Sequence, residues 1–399
     1  MGAYLSTPVT DKEVFEGQGQ SINYGGGSMQ GWRRTMEDAH IAEVGLSGDP
    51  GCAIFGVFDG HGGAEVAKFC QKYLSQEVQN LEQFGAGAVE DSLIQVFHRM
   101  DDMLRDHKYA EELEQLKTKD DADDEESRAE GDGDSAMSMD ALEMIKRVFQ
   151  IKRWQGEQPA GSDGSSAGTA EGEDSLASEA AAGGSSGAAA GSSGNGSGSS
   201  AAAPPRVIEP ADSRVQAGCT AVVAVKYGNE LFVANAGDSR GVLCRGGQAV
   251  ALSEDHKPAH EVERNRILNA GGFLSEIGGV CRVNGNLNLS RAIGDLKYKG
   301  NNELPPKDQI ITAQPDVRRI ALKPEDSFFV LACDGVWDVM SNQECVDFIS
   351  KRLAGGDKPA DAACALLDAC LAGDPKAARG VGCDNMTVIV VQLEHHASS

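Results

Sequence analysis

The apolar run from Ala53 to Phe58 stops on an acid. The text CAIFGVFDGHGGAEVAKF goes on through Asp59, Gly60, His61 and two more glycines to residues at helical spacing from Ala64. The arrangement returns in DSFFVLACDGVWDVMS, where an apolar strand ends on Cys333-Asp334-Gly335. GCTAVVAVKYGNELFVANAGDSRGVLCRGGQAVAL holds three β-like runs, around 219–226, 230–236 and 240–245, with Gly228-Asn229 suited to a hairpin turn. NMTVIVVQL, 385–393, reads as a final strand, and helical spacing predicts helices at 64–80, 91–107, 260–270, 342–353 and 358–371. Strands pair with strands and helices stand apart, so the fold class is α+β, with helices covering sheets.

Composition divides the chain. Residues 1–108 and 213–393 read as two parts of one globular domain, because neither carries a complete site, and 394–399 as a short tail. Between them, 109–212 reads as an insertion. It holds the acidic run EELEQLKTKDDADDEESRAEGDGD, and from Gly156 to Pro205 it has no Lys or Arg. Such a segment buries too little apolar surface to offset the entropy of ordering it, so disorder is expected. One island, DALEMIKRVFQIKRW at 140–154, has helical spacing and suits a helix packed on the body better than a docking element.

The formal net charge of −25 argues against nucleic-acid binding led by electrostatics and favours basic partners or cationic ligands. The 10 cysteines form no C-x-x-C pair, which points to a reduced, intracellular protein of the cytoplasm or nucleus. No apolar segment suits a signal peptide or a bilayer span. The start MGAYLS fits the myristoylation pattern at Gly2, and one acyl chain there would tether the protein only weakly.

Acids recur where strands end. Asp59 and Asp334 each precede a glycine, Asp238 follows a strand in NAGDSR, Asp384 precedes the last strand, and Glu37-Asp38 precede the first. One Asp-Gly is ordinary turn chemistry. Five such sites on one sheet edge would converge, and converging carboxylates need protons or a cation. An all-oxygen set suits Mg²⁺ or Mn²⁺ rather than zinc. Two ions sharing an Asp and a water would form a hydrolytic centre for phosphoesters.

RTMEDAH, VFDGHGG, CTAVVAV, NAGDSR, EDHKP, RVNGNLNLSRAIGD, LACDGVWDVM and CDNMTVIV occur in this order. Together they resemble the metal-dependent type 2C (PPM) serine/threonine protein phosphatases over roughly 20–108 and 213–393. The acidic insertion after an MGAYLS start is similar to the family's gamma form. The resemblance implies a monomer with a central antiparallel β-sandwich, helices on both outer faces, and two metal ions at one edge. Carried over by position, Asp59 bridges, Glu37 and the Gly60 carbonyl complete one ion, and Asp334 and Asp384 the other. Asp238 and Asp338 join Asp334 on a weaker third ion. Asp38 and Thr220 orient ligands, Arg33 binds phosphate, and His61 protonates the leaving alkoxide. Cys219 stands where serine is more usual before Thr220. The segment 260–300 corresponds to the family's flap. The implied substrates are phosphoserine and phosphothreonine proteins, which the insertion would recruit where they are basic. The competing reading is a scaffold that holds basic partners through the insertion.

Overall fold

The completely apolar strands are those that the fold buries on both faces. In the computed structural model, which describes residues 4–117 and 215–394, Ala53, Phe55 and Val57 face one core while Cys52, Ile54 and Phe58 face another. Side chains alternate across a strand, so two cores demand an unbroken apolar run.

The first half runs β1 (Val9–Gly19), β2 (Ile22–Gly31), β3 (Ala39–Val44), β4 (Cys52–Phe58), β5 (Gly60–His61), α1 (Glu65–Gln79), α2 (Glu82–Gly85), α3 (Val89–Arg105) and α4 (Ala110–Leu116). The second half begins with β6 (Gly218–Cys219), β7 (Ala221–Tyr227), β8 (Glu230–Ala236), β9 (Arg240–Arg245), β10 (Gln248–Ala251) and α5 (Glu261–Asn269). It continues through β11 (Leu274–Ile277), β12 (Val280–Val283), β13 (Ile293–Gly294), β14 (Asp316–Ala321) and β15 (Asp326–Ala332). It ends with α6 (Asp334–Trp337), α7 (Asn342–Ala354), α8 (Pro359–Cys370) and β16 (Met386–Leu393).

Two antiparallel sheets stack. One has the order β1-β2-β16-β15-β9-β10, the other β14-β8-β7-β4-β3. Phe55, Val222, Phe329, Leu331 and Ile389 fill the space between them. Helices α1 and α3 cover the outer face of the second sheet through Phe69, Leu74, Val96 and Phe97. Helices α7 and α8 cover the first through Val346, Ile349, Leu366 and Leu367. The result is the expected α+β sandwich with helices outside. A small separate core, with Ile267, Val283, Leu289 and Ile311, supports α5 and the β11–β12 hairpin.

Two expectations need correction. Glu37 and Asp38 precede the third strand, not the first. Strand β2 hides its identity in INYGGGSMQG, because Gly25 lies where a Cβ would stand 2.5 Å from the Ala360 backbone nitrogen of α8. Glycines here permit close helix–sheet approach rather than marking a turn. The first part of the domain also extends beyond 108. Helix α4 buries Leu113 against α1, Tyr73 donates to Glu112, and the Leu116 carbonyl accepts from Lys68 at 3.2 Å. The remaining span of the insertion, the 140–154 island, Gly2 and the last five residues lie outside the described residues. All ten cysteines are free thiols. No helix among the described residues is long and apolar enough to cross a membrane.

Candidate metal centre

Strand ends deliver the acids. Strand β4 ends at Phe58 and hands over Asp59, whose carbonyl accepts from Thr220 N at 2.9 Å. Strand β15 runs into the single turn α6, which opens on Asp334. Asp238 follows β8, and Asp384 lies two residues before β16.

Asp59, Asp238 and Asp334 each place a carboxylate oxygen within 4.8 Å of the others. Asp59 also shares a second group, at the same spacing, with Asp38 and the Cys333 sulfur. Asp38 is 7 % exposed; its Oδ2 accepts from Thr387 Oγ1 at 2.7 Å, and its Oδ1 has no hydrogen-bond partner. Burial, then the Asp384 and Glu37 charges, push Asp38 up to about 7 against the Thr387 hydrogen bond. Burial raises Asp59 well above the carboxylate range, with Asp334, Asp38, Asp384 and Asp238 adding to it. Asp334 rises likewise, through burial and then Asp238 and Asp384.

This crowd of acids fits hard divalent cations. An unpartnered buried oxygen and three converging carboxylates are what such ions would satisfy. Cys333 does not belong to the donor set. Burial holds its thiol well above the ordinary range, and its sulfur already accepts from Thr387 N at 3.1 Å.

Glu37 lies outside both groups of three. Its Oε1 accepts from Thr35 Oγ1 at 2.8 Å and its Oε2 from Gly63 N at 3.2 Å. Gly60 has no room for a side chain, because a Cβ would collide with the Glu37 carbonyl. Asp384 also lies outside these groups: its Oδ2 takes Arg33 Nη2 at 2.5 Å. Burial opposes the Arg33 charge, but Asp384, then Asp59 and Glu37, keep its pKa above the ordinary value. Asp338 is exposed, one turn beyond Asp334, whose carbonyl accepts its N–H at 2.8 Å. The Thr220 hydroxyl sits 2.7 Å from Ser239 Oγ, both buried, and Cys219 Sγ lies 3.9 Å from Cys70 Sγ.

His61 Nε2 lies 2.6 Å from Asp295 Oδ2. Burial disfavours the charged imidazole, but the Asp295 charge and hydrogen bond outweigh it, so the His61 pKa is raised. Three neighbours carried no assigned role in the sequence reading, although each stood in a quoted motif. Asp295 is one. Lys257, from EDHKP, donates to Asp238 Oδ2 at 2.5 Å. Asn385, from CDN, accepts from Glu37 N at 3.0 Å and donates to the Gln30 and Thr35 carbonyls at 2.9 Å, tying the Glu37 loop to β16. Their signal was motif membership only, since each acts through a partner remote in sequence.

The raised carboxylates make metal-free stability pH-dependent. A group whose folded pKa is raised contributes stability that is full below its unfolded value, about 3.9 for Asp, and is lost as pH rises through the folded value. For Asp38 that window closes at about 7. In a chelator, the melting temperature should therefore be higher at about pH 5.5 than at about pH 8, and Mn²⁺ should raise it more at the higher pH. A melting temperature that is flat, or that rises toward pH 8 without metal, would contradict the crowding.

The family described as Protein phosphatase 2C matches residues 22–120 and 199–376. The chain is 41% identical over 394 residues to probable protein phosphatase 2C 11 of Oryza sativa subsp. japonica, covering 99% of this chain and 91% of that one. It is 42% identical over 394 residues to probable protein phosphatase 2C 21 of Arabidopsis thaliana, covering 99% and 93%. A solved phosphatase structure from Toxoplasma gondii shares the fold at a TM-score of 0.55 and 20% identity, over 96% of this chain and 98% of that one. With the acids gathered at the sandwich edge and relatives matched along nearly their whole length, the chain belongs to the protein phosphatase 2C family of metal-dependent serine/threonine phosphatases.

Proposed function

We propose that the chain hydrolyses phosphoserine and phosphothreonine in proteins at a centre of two Mg²⁺ or Mn²⁺ ions bridged by Asp59. The observation that supports this is the convergence of Asp59, Asp238 and Asp334, whose carboxylate oxygens lie within 4.8 Å of one another. Glu37 and the Gly60 carbonyl would hold one ion, Asp334 and Asp384 the other, and Asp238 and Asp338 with Asp334 a weaker third. Such ions supply a water activated at neutral pH and positive charge beside the phosphoryl oxygens.

The chain's own groups do the rest. Arg33 exchanges Asp384 for the phosphoryl oxygens, where a guanidinium fork matches the anion. His61 gives a proton to the seryl or threonyl oxygen as the P–O bond breaks. Asp38 backs Asp59, and Thr220, fixed by Ser239, holds the Asp59 carbonyl through its N–H. A purely scaffolding role would leave the cost of gathering these acids unexplained.

The acidic insertion recruits basic substrates by charge. The test is a metal-titrated assay on phosphoserine and phosphothreonine peptides, basic and neutral, with the full chain and a chain lacking 118–206. The deletion begins after Lys117 because α4 packs on α1. Hydrolysis should require the metal in both chains. The deletion should raise KM for basic peptides several-fold and leave p-nitrophenyl phosphate turnover alone. Metal-independent turnover rejects the centre; an unchanged KM rejects recruitment.

A further inference from the structure

We propose that Asp295 is a positioning residue for the leaving-group step, fixing the His61 ring so that Nδ1 is the nitrogen that delivers the proton. The proposal rests on the reading of His61 as the acid.

The small sheet β13-β6-β5 is built around this pair. Strand β6 lies in the middle and pairs His61 with Gly218 on one side and Gly218 with Gly294 on the other. Asp295 follows at once, 1 % exposed, and its Oδ2 reaches across β6 to His61 Nε2 at 2.6 Å. Gly218 is the residue they cross. A Cβ there would stand 2.7 Å from His61 Nε2 and collide with Asp295 Oδ2. The absence of a side chain at 218 is thus a condition of the contact.

The carboxylate is held rigidly. Asp295 adopts φ 50, in the left-handed region, with its N–H donating to the Ala217 carbonyl at 2.9 Å. The residue before it is anchored from α3, where Asp101 Oδ1 accepts from Gly294 N at 2.8 Å. The other oxygen of Asp101 takes the buried ammonium of Lys299 at 2.6 Å, and Lys299 also donates to the Ala292 carbonyl at 2.7 Å. So both strands and a helix set the aim of one carboxylate.

With Nε2 engaged, His61 Nδ1 makes no hydrogen bond among the described residues. The step balances on that atom. As the P–O bond breaks, its electron pair goes to the seryl or threonyl oxygen, which takes the Nδ1 proton. The neutral ring keeps its Nε2–H on Asp295, and solvent restores the Nδ1 proton. A carboxylate fixing the far nitrogen sets the tautomer and orientation of an imidazole.

The test is Asp295→Asn in the full chain. Asn is close to isosteric and tolerates the left-handed region. The readout is the ratio of phosphoserine-peptide turnover to p-nitrophenyl phosphate turnover on one preparation, so that any unfolded fraction cancels. The expected ratio falls about 10²-fold, at the lower end of a general acid's ~10²–10⁴-fold contribution. Mn²⁺ affinity, followed by calorimetry, should stay within a few-fold. Gly218→Ala, which presses a methyl between the pair, should lower the ratio too and serves if the Asn variant does not fold. An unchanged ratio in the variant that folds, including equal loss on both substrates, overturns the proposal. His61→Gln run alongside separates the two readings. If it lowers the ratio and Asp295→Asn does not, only the positioning role fails. If it leaves the ratio unchanged, the acid assignment fails first.

Discussion

Asp59→Asn should remove metal-dependent phosphopeptide hydrolysis, by on the order of 10³-fold or more, and yet raise the melting temperature of the metal-free protein. The loss follows from position. Asp59 is one of the three converging carboxylates and the proposed bridge, so its replacement weakens both ions that it would share. The gain follows from electrostatics. Burial and four neighbouring acids hold Asp59 well above its ordinary range, which means that its ionised form is repelled when no metal is bound. The amide keeps the shape and removes that charge. Each kcal/mol of relieved repulsion is worth roughly 2–4 °C in a domain of this scale. Thermal scans in chelator and in Mn²⁺ give both readings. The wild type should gain far more from Mn²⁺ than the variant. Retained hydrolysis, or a metal-free variant that melts below the wild type, would count against Asp59 as the bridge.

His61→Gln should slow phosphoserine-peptide turnover by ~10²–10⁴-fold and change p-nitrophenyl phosphate turnover by only a few-fold. An alkoxide leaves poorly without a proton, whereas p-nitrophenolate leaves unaided. The His61 pKa is raised because Asp295 outweighs the burial that disfavours the imidazolium. Asp295 thus favours the charged form of the ring, the form a proton donor needs. Equal loss on both substrates would reject the acid role and point instead to damage at Asp59, two residues before.

What could be read from the chain followed burial. Strands β4, β7, β15 and β16 are covered on both faces and so appear as unbroken apolar text, and the acids stand out because they end such runs. Strand β1 shows no such text because most of it is exposed or half-buried, and β2 is masked by glycines that serve α8 rather than a turn. Asp59, Asp238 and Asp334, which the fold brings together, were legible as strand-end acids. The pairings around them were not, because Asp295 meets His61, Arg33 meets Asp384 and Asn385 meets Glu37 only across the folded chain. Asp338, exposed one turn beyond Asp334, adds its charge to that of Asp334 and feels that of Asp238.

Among the described strands β16 comes latest in the sequence, and it inserts between β2, one of the earliest, and β15. Its residues Val388 and Ile389 supply both cores of the six-stranded sheet, and Asp384 and Asn385 arrive with it. Closing this sheet must therefore wait for residues 386–393. Until then β2 lacks one neighbour, and β4 is bare until β7 has emerged on its other side. Pairing over such separations is slow, and open apolar edges are where newly made chains stick to one another.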